Sequence, residues 1–319
     1  GHKEDTTDRV FGSGDYRPRA FLALPVEYEP GTWFVYNTAA TYMLSAIITK
    51  LTGGSLLDYL RPRLFEPLGI DHPTWESDAV GINLGGTGLH IKTEDIARFG
   101  QMYLQGGMWD GKQIVPAGWI AEATSVHSDN SNRPATLDWA VGYGYQFWRC
   151  RHNAYRGDGA FGQFCIVMPE QDAVLAITSG VRDMQVVLDK VWAHLLPAMG
   201  PQPLPAAPQA QEELAAKLGS LSLPLPQGKP MSPKAEQWAG KTYKLEDNDL
   251  ELQSIALRFD AECSTVVIGD ERGEHPFTAG YNAWVRGSAD LRGRGAEPLA
   301  ASGVWTAEDT YEVRICLYH

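Results

Sequence analysis

Residues 30–53 read PGTWFVYNTAATYMLSAIITKLTG, and the fold turns on how this stretch divides. Residues 30–38 make a turn, a short strand and a helix start. Over residues 39–51 apolar side chains recur at helical spacing. Gly53-Gly54 ends the helix, because glycine reaches the left-handed conformation that closes one. Tyr36 therefore stands at a helix entrance, followed by the amide of Asn37 and the hydroxyl of Thr38. A tyrosine there can do acid–base work if a neighbouring cation brings its phenol down from about 10. Taken by itself, the stretch is better described as a core tyrosine beside an N-cap threonine. The flanking sequence changes that reading.

Helix and strand signals alternate on either side. Ser55 can cap LLDYLRPRLFEPLG, which Pro62 kinks. Thr93 can cap EDIARFGQMYLQGG, whose Ile96, Phe99, Gly100 and Tyr103 share a face, and Pro116 suits the first turn of AGWIAEATS. Residues 141–149, 164–168 and 173–178 are strand-like, with Pro169-Glu170-Gln171-Asp172 as a hairpin loop. They are expected to be adjacent antiparallel strands, with an amphipathic helix over 184–196 packed on them.

Residues 197–233 are dense in proline, alanine and glutamine and read as a linker with one short helix at 211–218. Beyond it, residues 234–319 carry strand signals only, at 241–245, 252–259, 264–268, 275–278, 283–286 and 311–317. They predict a small antiparallel β domain or an incomplete barrel. The expected domains are thus 1–196 and 234–319, joined by 197–233.

Composition narrows the function. Of 319 residues, 44% are hydrophobic and 21% charged, as in folded globular chains. The net charge of −12 divides evenly, with 16 basic and 22 acidic residues before 197 and 11 and 17 after. Neither part is a basic module, so binding to nucleic acid through phosphates is not expected. No apolar run approaches the roughly 20 residues that span a bilayer, and Gly1-His2-Lys3-Glu4-Asp5 is too polar for a signal peptide. Cys150, Cys165, Cys263 and Cys316 are widely spaced and read as buried thiols. HExxH, GxGxxG and P-loop patterns are absent, so no metal or nucleotide cofactor is expected.

PGTWFVYNTAATYMLSAIITKLTG resembles the second motif region of the serine beta-lactamase family, with its penicillin-binding proteins, D-aminopeptidases and class C-like esterases. The resemblance continues through LLDYLRPRLFEPLGI, GINLGGTGLHIKTEDIARFGQMYLQGGMWDGKQIVPAGWI, GYGYQFW and GDGAFGQFCIVMPEQDAVLAITSG, in the family's order. It implies an α/β (α+β) sandwich and acyl transfer by the serine of a Ser-x-x-Lys helix turn. The lysine takes the serine proton, a Tyr-x-[Asn/Ser] element completes the site, and a [Lys/His]-x-Gly strand lies opposite.

Carried over by position, Tyr36 matches the family tyrosine and Thr38 the Asn/Ser position, with Asn37 one place early for the amide. Gly157-Asp158-Gly159 falls on the third motif: Gly159 matches its glycine, and no cation stands at 157. Arg156 is adjacent, but neighbouring strand residues point to opposite faces. Asp158-Gly159 reads equally as a turn pair. His90, after the glycine-rich turn, either lines the cleft or packs. His127 and Asp129 read as solvated loop, and Gly12-Ser13-Gly14 as a loop.

No lysine has a serine three residues before it. The resemblance places Gly1-His2 after the family's nucleophile helix, so the domain is expected to be N-terminally incomplete. Two functions follow. One is a serine hydrolase acting on an ester, amide or D-amino-acid peptide through an acyl-enzyme, its nucleophile absent from this chain. The other is a non-catalytic relative that binds through the cleft and the C-terminal strands. Residues 234–319 fit a sensor or lid. The expected partner is a small molecule or peptide.

Overall fold

Asn37 sets where the first long helix begins. The computed structural model describes residues 1–14, 16–131, 138–293 and 295–318. Two short helices, α1 (Thr7–Phe11) and α2 (Arg17–Leu22), lead to α3 (Thr38–Thr52). Asn37 has extended backbone, and its Oδ1 accepts the Ala40 N–H at 3.2 Å, so Asn37 and not Thr38 is the cap. Gly53, at φ +74°, closes the helix. One face of α3 buries Ala39, Tyr42 and Ala46, and the Tyr42 hydroxyl donates to Asp78 at 2.7 Å. The other face leaves Leu44, Ile47 and Leu51 in solvent.

Ser55 caps α4 (Leu56–Leu60), which widens into a π-type turn at Arg61–Phe65 where Pro62 has no N–H to give. Strands β1 (Thr74–Trp75) and β2 (Leu89–His90) pair antiparallel. Helix α5 (Thr93–Leu104) follows, with Thr93 as its first residue and Lys92 at the cap. The small ladder of β3 (Met108–Trp109) and β4 (Lys112–Gln113) precedes α6 (Ala117–Ala123).

The central sheet is antiparallel in the order β5 (Trp148–Arg149), β6 (Tyr155–Gly159), β7 (Gln163–Met168), β8 (Ala173–Ile177). Two sequence expectations are corrected here. Residues 141–147 are not regular strand: Gly142 takes φ +114°, and a Cβ on Gly144 would lie 2.2 Å from the Ala123 carbonyl oxygen. The chain bends around the end of α6 instead. Residues 141–149 and 164–168 are not adjacent either: Gly157-Asp158-Gly159, strand as at the third motif and not a turn pair, lies in β6 and separates β5 from β7. The adjacency of β7 and β8 is as expected.

Every residue of β7 after Gln163 is buried because both faces are covered. Cys165 and Val167 meet Met102 and Tyr103 of α5. A Cβ on Gly100 would lie 2.6 Å from Val174 Cγ1, so that helix approaches the sheet only with glycine there. On the other face Phe164, Ile166 and Met168 pack on Leu188 of α7 (Gln185–Lys190) and on Val191 and Trp192 beyond it. Under that helix the buried Asp138 accepts from Arg151 Nη2 at 2.9 Å, Gln185 Nε2 at 2.8 Å and Trp192 Nε1 at 3.0 Å. Burial pushes its carboxyl up, but these bonds outweigh burial and hold it at about 2.

Packing divides the chain into two units, Gly1–Leu204 and Pro205–His319. The second has α8 (Pro208–Gly219), α9 (Ala235–Trp238) and a seven-stranded sheet. Its strands are β9 (Thr242–Lys244), β10 (Ser254–Phe259), β11 (Cys263–Asp270), β12 (Gly273–Gly280), β13 (Val285–Ala289), β14 (Glu297–Ala307) and β15 (Thr310–Leu317). β14 carries no strand signal in the sequence, yet it pairs with β13 and β15 and contributes Leu299 and Ala301 to the core. All four cysteines are free: Cys150 and Cys165 are buried, Cys263 and Cys316 half-buried. Among the described residues no helix is long and apolar enough to cross a membrane.

Candidate active site

Tyr36 and the first turns of α3 form one wall of a cleft of about 450 Å³. The Gly85-Gly86 turn and residues Tyr143, Gln146, Trp148, Gly157 and Asp158 complete it. The glycines are dictated by closeness. A Cβ on Gly86 would lie 2.9 Å from Thr38 Cγ2, and Gly85, at φ +72°, sits against the Thr41 carbonyl. The turn therefore lies directly on the start of α3.

Tyr36 is 42% exposed. Its ring stacks on Trp148 with centroids 5.5 Å apart and planes at 21°, and meets Tyr143 edge-on at 6.4 Å. Burial, then the carboxylates of Asp158 and Asp5, push its phenol above the ordinary tyrosine range. Both charges acting on it are negative, so the phenol keeps its proton at neutral pH.

Asn37 does not offer a free amide. Its Oδ1 caps α3, and its Nδ2 donates to Thr6 Oγ1 at 2.9 Å. Thr38 and Asn37 both line the cleft. His90 is exposed at the end of β2, with Nε2 3.2 Å from Glu76 Oε1, and is not among the lining residues. Gly159 pairs with Gln163 at the end of the β6–β7 ladder, where a Cβ would come within 2.8 Å of Gln163 Cβ; Gly157 and Asp158 reach the cleft and Gly159 does not.

Asp158 and Arg156 are two apart on β6 and share a face, opposite Phe164 and Ile166. The Asp158 side chain is 7% exposed. It accepts from Trp139 Nε1 at 2.9 Å and Arg156 Nη2 at 3.0 Å, while Arg156 Nε lies 2.8 Å from its other oxygen. Burial outweighs these partners and raises the carboxyl to about 6. Arg156 is fully buried, donating also to the Asp138 carbonyl and to Cys150 Sγ at 3.0 Å, with its guanidinium 4.6 Å from the Trp139 ring centre. The cation beside the third motif is therefore enclosed behind Asp158. No lysine, arginine or histidine is among the described residues lining the cleft.

Sequence reasoning placed Tyr36, Asn37, Thr38 and Asp158, which the fold brings to one cavity. It did not single out Trp148, Tyr143, Gln146 or the Gly85-Gly86 pair. Their signal was the GYGYQFW run and the glycine-rich turn, which read as elements before they read as a site. Among the described residues no three His, Cys, Asp or Glu side chains converge as a metal site would need.

The sequence model of the Beta-lactamase family matches residues 2–190. The 6-aminohexanoate-dimer hydrolase of Paenarthrobacter ureafaciens is 28% identical over 156 residues, which are 47% of this chain and 40% of that protein. Among solved structures, a Bacillus anthracis protein assigned as a 6-aminohexanoate-dimer hydrolase is 26% identical, with TM-score 0.46, over 56% of this chain and 48% of its own. The octameric penicillin-binding protein homologue from Pyrococcus abyssi is 16% identical with TM-score 0.44, over 97% of this chain and 73% of its own. The chain spans less than half the length of the first two of these relatives.

Proposed function

The chain belongs to the beta-lactamase-like serine hydrolase family, and from that premise we propose that it hydrolyses an ester, amide or D-amino-acid peptide through an acyl-enzyme whose serine lies outside these 319 residues. The observation that carries the reading is Tyr36, a protonated phenol held at the cleft wall by its stack on Trp148. The curated relative is named for the 6-aminohexanoate dimer, which favours an amide among the three bonds.

In this reading the serine Oγ bonds to the substrate carbonyl as its proton passes to the lysine one turn on. The tetrahedral adduct collapses, the bond to the leaving nitrogen or oxygen breaks, and that atom takes the Tyr36 proton. The lysine then returns a proton to Tyr36 Oη. Water attacks the acyl group and gives up a proton, the ester bond to serine breaks as serine Oγ takes up a proton in its place, and the acid departs. A phenol shifted upward suits the donor step and would be a poor base.

The test is acylation. The 319-residue chain, treated with p-nitrophenyl acetate or nitrocefin, is expected to give no burst and no covalent mass adduct. An adduct on any serine of residues 1–319 would refute the reading. In the product of the complete reading frame the adduct is expected on a Ser-x-x-Lys serine. There Tyr36→Phe should lower kcat by about 10²–10⁴ with little change in KM.

A non-catalytic binding relative is the second reading, favoured by the occupied amide of Asn37 and by the absence of a cation among the described lining residues. Ligand binding by the complete protein without any adduct would select it.

A further inference from the structure

At the third motif the family pattern sets a cation opposite the tyrosine. This chain has Gly157 in that place and a carboxylate beside it. We propose that the cleft selects ligands carrying a protonated alkylamine and turns away carboxylates, with Asp158 as the specificity-determining residue. The proposal rests on reading this cleft as the substrate site and names the charge of what it accepts.

Three observations converge. First, Asp158 is the only charged side chain among the described lining residues, which together have a formal charge of −1 when it is ionised. Second, the walls beside it are the rings of Tyr36, Tyr143 and Trp148. Aromatic faces attract ammonium groups, and a cavity walled by rings screens a charge less than water does. Third, the positive features nearby are already engaged. Arg156 is fully buried and gives its N–H groups to Asp158, the Asp138 carbonyl and Cys150. The N-terminus of α3 would attract an anion, but Ala39 N–H goes to Thr7 Oγ1 at 3.3 Å and Ala40 N–H to Asn37.

Arg156 offsets part of the Asp158 charge without cancelling it at the cleft. The phenols of Tyr36 and Tyr143 are both pushed up, by burial first, and Asp158 contributes to each.

Calorimetric titration of the 319-residue chain at pH 8 with hexylammonium chloride, 1-hexanol and sodium hexanoate tests this directly. Affinity should fall in that order, with hexylammonium about tenfold tighter than hexanoate. Asp158→Asn should reduce the preference to within about threefold. That variant leaves Arg156 unpaired, so a second one avoids the fold: a Cβ on Gly157 meets nothing within 4 Å. Gly157→Lys should place a cation on the wall and abolish or reverse the preference. Equal affinity for the three probes, tighter hexanoate, no binding at all, or a preference unmoved by Gly157→Lys would overturn the proposal. Because the readout is binding, the amine preference and the acylation test can fail independently.

Discussion

Asp138 and Asp158 are both enclosed carboxyls, and they respond to pH in opposite senses. Asp138 is held at about 2, below its unfolded value of about 3.9. Its stabilising contribution is complete above that unfolded value and is lost as pH falls towards 2, about 2.6 kcal/mol in all. Asp158 is raised to about 6, so the fold favours its neutral form and stability falls as pH rises from about 4 to about 6, by about 3 kcal/mol. The groups acting on it are Arg156 and Trp139, with Asp138 beyond and Tyr36 and Tyr143 on the cleft side. Urea midpoints measured across pH should show both slopes. Asp138→Asn should remove the acid slope. Asp158→Asn, which holds that side chain neutral at every pH, should remove the other. Titration of Asp158 also predicts that the hexylammonium preference fades as pH falls below about 6.

Helix α3 and strand β6 differ in how openly their sequences declare them. The apolar spacing of residues 39–51 and Gly53 announce the helix. Only the cap was misread, because Asn37 and Thr38 are both good capping residues and their φ/ψ decides between them. Strand β6 was only half declared, since Asp158-Gly159 reads equally as a turn pair, and the pairing of Gly157 with Cys165 and Gly159 with Gln163 makes it strand. β14 was missed likewise, since EPLAASGVWTA is rich in small residues of low strand propensity. The site was legible wherever a motif carried it and illegible where its members are ordinary aromatics brought together by the fold. Two substitutions test the elements. Gly86→Ala presses on Thr38 Cγ2 at 2.9 Å and should cost about 1–3 kcal/mol, seen as a lower denaturation midpoint. Leu44, Ile47 and Leu51 leave an apolar stripe on α3 in solvent. Ile47→Lys should reduce concentration-dependent light scattering; unchanged scattering would clear that stripe of any role in association.

The molecule as a whole is two packed units, Gly1–Leu204 and Pro205–His319, with leucines 204, 214, 218, 221 and 223 exposed where the second begins. Limited proteolysis should cut first within residues 205–233, and two fragments should persist after cleavage; early cuts inside β5 to β8 would argue against it. Each unit also holds its own cluster of rings in contact. In the first, Tyr36, Tyr143, Trp139 and Trp148 touch one another at centroid distances of 4.7–6.4 Å. In the second, Phe259, Trp305 and Tyr311 lie 5.0–5.1 Å apart. Rings locked at fixed angles couple their electronic transitions and give circular dichroism in the near ultraviolet, which vanishes once they tumble freely. The protein thus carries two built-in optical reporters. Replacing Trp305 with phenylalanine should remove the coupled tryptophan signal of that second cluster, leaving a spectrum weighted towards the melting of the first unit.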